Sequence, residues 1–255
     1  MMNFYKSVIE HKGKLLVRGI HDGKDYKEKI DFGPTLYSLT QKDSKFKTLD
    51  NRNLNAIKFK NINDARRFRR DVATQNSPIY GLERFHYQYI NEQFPDNIKW
   101  DKKYIKIFTI DIETTVTDGF PDVENPIEEI ICITVKNQTN KQILTWATGD
   151  YKTDRTDISF IKCKNENVLL MEFMKFWLKN YPDVVTGWNT KFFDLPYLMN
   201  RIKLVAGEKV ANKMSPWGMI EKIEIMVRGR PQTTYTLKGT VMLDYLDLYL
   251  SLIHI

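Results

Sequence analysis

The chain reads as an α/β domain with a mixed sheet, preceded by a small α+β domain. Two observations predict this. Beyond residue 103 the apolar segments succeed one another as strand, strand, strand, helix, strand, helix, an order that builds a sheet covered by helices. Before it lie short alternating stretches, punctuated by Asp22-Gly23 and Gly33-Pro34, together with one arginine-rich helix. With 255 residues and 42% hydrophobic content there is enough material for two cores. The expected domains are 1–103 and 104–249.

In the first domain Lys14–Arg18 alternates as a strand. A helix follows from Asn63, with Asn63 or Asp64 as its cap and Ala65, Phe68 and Val72 at helical spacing. Its other positions carry Arg66, Arg67, Arg69 and Arg70, which suit a phosphate-binding face or a solvated helix face equally well. Polar and charged residues over Pro95–Lys103 mark the boundary.

Tyr104–Ile112 is then a strand, with Ile105, Ile107, Thr109 and Asp111 on one face and Phe108, Ile110 and Ile112 on the other. Glu128–Val135 and Gln142–Ala147 are two more strands, with a turn at Asn137–Asn140, so three successive strands make an antiparallel meander. Asn165–Asn180 is a helix with Leu169, Phe173 and Phe176 on one stripe, ended by Pro182. Val184–Trp188 is a buried strand. Leu195–Val205 is a helix with Pro196 in its first turn, where the missing N–H costs nothing. Glu221–Met226 and Thr233–Leu237 flank Arg228-Gly229-Arg230-Pro231 as a β-hairpin with a basic tip.

Charge narrows the class. A net charge of +7 favours a polyanionic partner, with nucleic acid first, because Lys and Arg displace counterions from phosphates. The two cysteines, Cys132 and Cys163, have no metal-ligand spacing and read as structural thiols in a reducing cytosol. No apolar run approaches the ~18 residues of a membrane span. The expectation is a soluble cytoplasmic protein with no membrane partner.

Asp111 and Glu113 lie at i and i+2 at the end of a strand, so both carboxylates point to one side. Two such groups repel unless a cation lies between them, and oxygen ligands suit Mg²⁺ or Mn²⁺. They could hold metal against a phosphodiester, or be solvated strand-end acids. A second constellation runs from Thr186 to Pro196. Gly187 allows a turn, and Asn189 and Asp194 stand between a buried strand and a helix start. Asp194 serves either as a helix cap or as a further acidic ligand. An Asp-x-Glu strand followed by a meander, a helix and an Asn-x4-Asp segment is much rarer than either part.

At these residues a resemblance becomes specific. Phe108-Thr-Ile-Asp-Ile-Glu113 resembles the first exonuclease motif of family B DNA polymerases, and Gly187-Trp-Asn-Thr-Lys-Phe-Phe-Asp194 resembles the second. Asp118-Gly-Phe-Pro121, Pro196-Tyr-Leu-Met-Asn-Arg-Ile202 and Leu243-Asp-Tyr-Leu-Asp-Leu-Tyr249 are similar to segments of the polymerases of T-even-like tailed phages. The resemblance implies a ribonuclease-H-like exonuclease domain using two divalent metal ions, Mg²⁺ or Mn²⁺, to remove a mispaired 3′ nucleotide. It implies that Asp111 bridges the metals, Glu113 binds the one that activates water, and Asp194 supports the second. It further implies DNA contacts from Phe120, Asn189 and Phe193, with Phe120 alternatively a core aromatic. Arg228 and Arg230 would sit on a strand-separating hairpin or a plain surface turn. The implied partners are a single-stranded 3′ end, primer–template DNA, a polymerase domain outside this chain and a sliding clamp.

The family's third motif, a Tyr-x3-Asp, is expected beyond Tyr249. Leu250-Ser-Leu-Ile-His-Ile255 departs from the family pattern and is what a common transposon sequencing adapter would encode, so 250–255 is expected to be a non-native tail. On this basis the fragment alone is expected to cleave DNA poorly. The alternatives are a stand-alone single-strand exonuclease and an inactive nucleic-acid-binding module.

Overall fold

A computed structural model describes residues 2–74, 77–117, 119–227 and 229–253, and it divides into two compact units, Met1–Trp100 and Asp101–Ile255. Asp118, Arg228 and the last two residues of the expected tail lie outside the described residues. Among those described, no helix is long and apolar enough to cross a membrane.

In the first unit, β1 (Phe4–His11), β2 (Lys14–His21) and β3 (Lys24–Ile30) form an antiparallel sheet. Asp22 and Gly23 both have positive φ, 49° and 75°, the paired left-handed geometry that a two-residue hairpin turn between twisted strands requires. β4 (Thr35–Leu39), β5 (Phe46–Lys47), β6 (Asn53–Lys58) and β7 (Ile79–Tyr80) form a second sheet in the order β5-β6-β4-β7. Two helices, α1 (Ile62–Ala73) and α2 (Phe85–Gln93), add Ile62, Ala65, Phe85 and Tyr89 to a core shared with Leu15, Val17 and Leu36. Asn61, not Asn63 or Asp64, caps α1, because its Oδ1 accepts the Asp64 N–H at 2.9 Å.

The second unit is built on one mixed sheet. Its strands are β8 (Ile107–Thr114), β9 (Ile130–Asn137), β10 (Ile143–Ala147), β11 (Ile158–Lys162), β12 (Val184–Gly187) and, late in the chain, Val241–Asp244. The hairpin β13 (Ile220–Val227) and β14 (Arg230–Leu237) stands apart as a two-stranded sheet, which makes Val241–Asp244 β15. The large sheet runs β11-β10-β9-β8-β12-β15. Strands β8, β9 and β10 pair antiparallel as the expected meander, while β11, β12 and β15 join in parallel. The helices are α3 (Glu166–Asn180), α4 (Asp194–Ala206), α5 (Glu208–Ala211) and α6 (Tyr245–Ile253), the last running into the expected tail.

Strand alternation decides which face of β8 is buried. Phe108, Ile110 and Ile112 enter a core with Ile133, Val135, Trp146, Leu169, Phe173 and Trp177, each stabilising the fold by roughly 1.5–3 kcal/mol. The odd residues, Asp111 and Glu113 among them, take the opposite face. β8 starts later than Tyr104, since Lys102–Tyr104 form a 3-10 turn capped by Asp101, whose carboxylate accepts the Lys103 N–H at 3.0 Å. β11 and β15 had no sequence counterpart. Both are short and pair on only one side as sheet edges, so their residues show little alternation.

Candidate active site

Register places the two carboxylates of β8 on one face. Asp111 lies opposite Thr134 and Glu113 opposite Cys132 on β9. Cys132 reports their field: burial pushes its thiol pKa up, and the charges of Glu113 and Asp111 add to the rise. Asp111 is exposed, yet the partial loss of water above the sheet still raises its carboxyl above the ordinary range.

Asp194 reaches the same region from α4. β12 stops pairing with β8 at Thr186↔Thr109, leaving the β8 backbone open further along. Asp194 fills that opening: its Oδ1 accepts the Ile112 N–H at 3.0 Å. It begins α4 but does not cap it, because its side chain is committed to the strand. Asp194 is 4% exposed, and its pKa is pushed up to about 6, first by burial and further by the charge of Asp111. The Ile112 amide opposes part of that rise. Two mutually repelling carboxylates on adjoining elements form the electrostatic centre of the site.

The loop from β12 to α4 is tightly determined. A Cβ on Gly187 would lie 1.9 Å from Thr190 Oγ1 and 2.8 Å from Ile110 O, so no side chain fits there. Asn189 has φ 60°, the left-handed region that Asn tolerates better than most residues. The sequence reading missed Asp244, at the end of β15. Its carboxylate accepts the N–H groups of Asn189 at 3.0 Å and Lys191 at 2.8 Å. Those partners lie 55 and 53 residues away, so no local pattern could have disclosed them.

Beside this loop opens a cleft of about 860 Å³, lined by Phe120, Asn189, Phe192, Phe193, Lys222 and Thr233 among others. Phe120 is 79% exposed, so it is no core aromatic; its ring centroid lies 4.8 Å from that of Phe193. Lys222 pairs with Glu124 at 2.6 Å across the cleft wall. The hairpin register closes at Val227 opposite Arg230, which is exposed, while Arg228 lies outside the described residues.

The remaining expected contacts lie elsewhere. Arg66 is paired with Glu10 at 2.6 Å, Arg67 with Asp64 at 2.7 Å and Arg69 with Glu83, all within the first unit; Arg70 is exposed. Three of the four arginines thus have intramolecular partners, which weakens their availability for phosphate.

Among the described residues no three His, Cys, Asp or Glu side chains gather closely enough to hold an ion. Asp111 and Glu113 share the outward face of β8, and Asp194 comes to the neighbouring Ile112 amide from α4. Strand rise separates Asp111 and Glu113 by roughly 6.5–7 Å along β8, and Asp194 approaches at the level of Asp111. The oxygen-only donor chemistry and the unneutralised Asp111–Asp194 repulsion fit a hard divalent cation at that pair.

The sequence profile of the DNA polymerase family B exonuclease domain matches residues 44–255. This chain belongs to that family. Similar proteins include the DNA-directed DNA polymerases of Enterobacteria phage T4 and Escherichia phage RB69, each 28% identical over 98% of this chain. A DNA polymerase of Pyrococcus glycovorans is 27% identical over 55% of it. The chain spans 30% and 31% of the two phage polymerases. The family is enzymatic, and its exonuclease domain uses divalent metals.

Proposed function

We propose that this chain is the proofreading 3′→5′ exonuclease region of a replicative DNA polymerase, hydrolysing the terminal phosphodiester of a frayed, mispaired strand. The observation that carries this is the buried Asp194 carboxylate, bound to the Ile112 amide between Asp111 and Glu113 on β8 and following the cleft residue Phe193 directly in sequence. The sheet order, with a meander extended by parallel strands and acids on its central strand, supports a ribonuclease-H-like assignment.

The chain's own groups have separable roles. Phe120 and Phe193 offer ring faces to unpaired terminal bases, a sequence-tolerant mode of holding a single strand. Asn189 supplies an amide to the cleft wall. Asp194 is held beside Asp111 by the Ile112 amide, and Glu113 adds a further carboxylate on the Asp111 face of β8. Divalent ions held by these acids, two in the full reading, would offset phosphate charge and lower the pKa of the attacking water. Primer–template DNA as the wider substrate, polymerisation by further domains and a sliding-clamp partner rest on kinship with the phage polymerases.

The test is digestion of a 5′-labelled single-stranded oligonucleotide in Mg²⁺ or Mn²⁺ by a longer chain that carries a Tyr-x3-Asp third motif, with this chain alone, expected to cleave poorly, beside it. From the longer chain a ladder shortening from the 3′ end and abolished by EDTA is expected. Internal cleavage, or shortening from the 5′ end, would overturn the assignment.

A further inference from the structure

We infer that Asp244 is a positioning residue for the cleft: its buried carboxylate fixes the 189–193 loop in the shape that the proposed exonuclease site needs, an inference that rests on that reading.

Asp244 is 6% exposed, and its two oxygens take three backbone N–H groups. Oδ1 accepts from Asn189 at 3.0 Å and from Leu246 at 2.8 Å, and Oδ2 accepts from Lys191 at 2.8 Å. One side chain therefore ties the loop to the end of β15 and the first turn of α6. Hydrogen bonds to an ionised acceptor are roughly twice as strong as neutral ones, which suits a carboxylate to this task.

The loop needs such a tie because its conformation is costly. A non-glycine residue in the left-handed region, as Asn189 is, costs on the order of 1 kcal/mol and persists where the surroundings over-determine it. Asp244 holds the amides on both sides of Thr190. From β14, Thr234 Oγ1 donates to the Lys191 carbonyl at 2.8 Å, and Lys191 Nζ meets Asp247 at 2.9 Å. The chain then delivers Phe193 to the cleft and Asp194 to Ile112 without a break. Releasing the two amides would let Asn189 and Phe193 shift together, although Asp244 itself is not among the cleft-lining residues.

Asp244→Ala and Asp244→Asn in the full chain test this, alongside Asp111→Ala. Three quantities are read: amide hydrogen exchange at residues 189 and 191, affinity for a fluorescent oligothymidylate in EDTA, and KM and kcat for oligonucleotide digestion in Mg²⁺ by the same variants of a longer chain that carries the Tyr-x3-Asp third motif. Faster exchange confined to this loop is expected, with roughly tenfold weaker affinity and higher KM for Asp244→Ala, because sub-ångström misplacement is expensive in a positioned site. Asp244→Asn, which keeps one acceptor oxygen, should fall between it and the wild type. If Asp244→Ala does not fold, Asp244→Asn decides. Unchanged exchange at 189 and 191, or a loosened loop with unaltered oligothymidylate affinity, would overturn the inference. Absence of any digestion by the longer wild-type chain would refute the exonuclease reading instead, and the exchange and affinity measurements would still judge Asp244.

Discussion

Asp194 combines deep burial with a neighbouring charge in one side chain, at the site proposed for hydrolysis. Its pKa stands near 6 in the folded chain against an ordinary value of 3.8, so the folded state holds its proton more tightly than the unfolded state does. The resulting stabilisation is fully present below the unfolded pKa and is lost as pH rises through about 6. Urea midpoints in EDTA should therefore fall between pH 4 and pH 7 in the wild type by more than in Asp194→Asn. The isostere keeps an oxygen for the Ile112 amide but carries no charge. The expected difference is on the order of 1–3 kcal/mol. Superimposable pH profiles would show that Asp194 titrates normally. Gly187 allows a second test at this scale. The close approach of Thr190 Oγ1 and Ile110 O predicts that Gly187→Ala destabilises by roughly 1–3 kcal/mol, measured by urea unfolding. Spacing in the sequence put Asp111 and Glu113 on one face, since residues two apart on a strand share a face, and β8 keeps them there. The sequence left Asp194 open between helix cap and ligand, because that choice depends on a hydrogen bond to a strand 82 residues away.

At the scale of elements, a buried ion pair joins α3, α4 and the segment that leads into β9. Arg201 Nε and Nη2 meet the two oxygens of Glu166 at 2.7 and 2.6 Å, and Arg201 Nη1 donates to the Pro126 and Ile127 carbonyls at 2.9 Å. Glu166 Oε1 also accepts the Ile130 N–H at 2.8 Å. Removing one partner should leave a buried charge unpaired, so Arg201→Met or Glu166→Gln alone should cost roughly 3–5 kcal/mol, with the double variant costing less than the sum. Additive losses in chemical denaturation would show that the pair is not coupled. Nothing in the sequence announced this contact, since neither residue sits in a motif that pairs it with the other. By contrast α3 was readable nearly to the residue, because Asn165 caps it and its apolar stripe is unbroken. The β8 boundary was misread because Tyr104 and Ile105 look like strand residues while Asp101 draws the chain into a turn.

For the molecule as a whole, the net charge of +7 is distributed unevenly in its consequences. The Arg66–Arg69 stretch is largely neutralised by Glu10, Asp64 and Glu83. Single-strand affinity should still fall at least tenfold between roughly 50 and 200 mM salt if several phosphates are contacted. Arg66→Ala and Arg69→Ala should lower stability while leaving that salt slope nearly unchanged, as read by fluorescence anisotropy. A clear drop in slope for either variant would return the helix to the DNA-contacting surface. The central claim is that Asp111 and Asp194 act together as the hydrolytic pair, and isosteric variants test it most directly. In a longer chain carrying the Tyr-x3-Asp third motif, initial rates of 3′ nucleotide release in Mg²⁺ should drop by at least about a hundredfold for both Asp111→Asn and Asp194→Asn, each remaining folded, with oligothymidylate affinity in EDTA retained. Release at the wild-type rate by either folded variant would contradict the assignment.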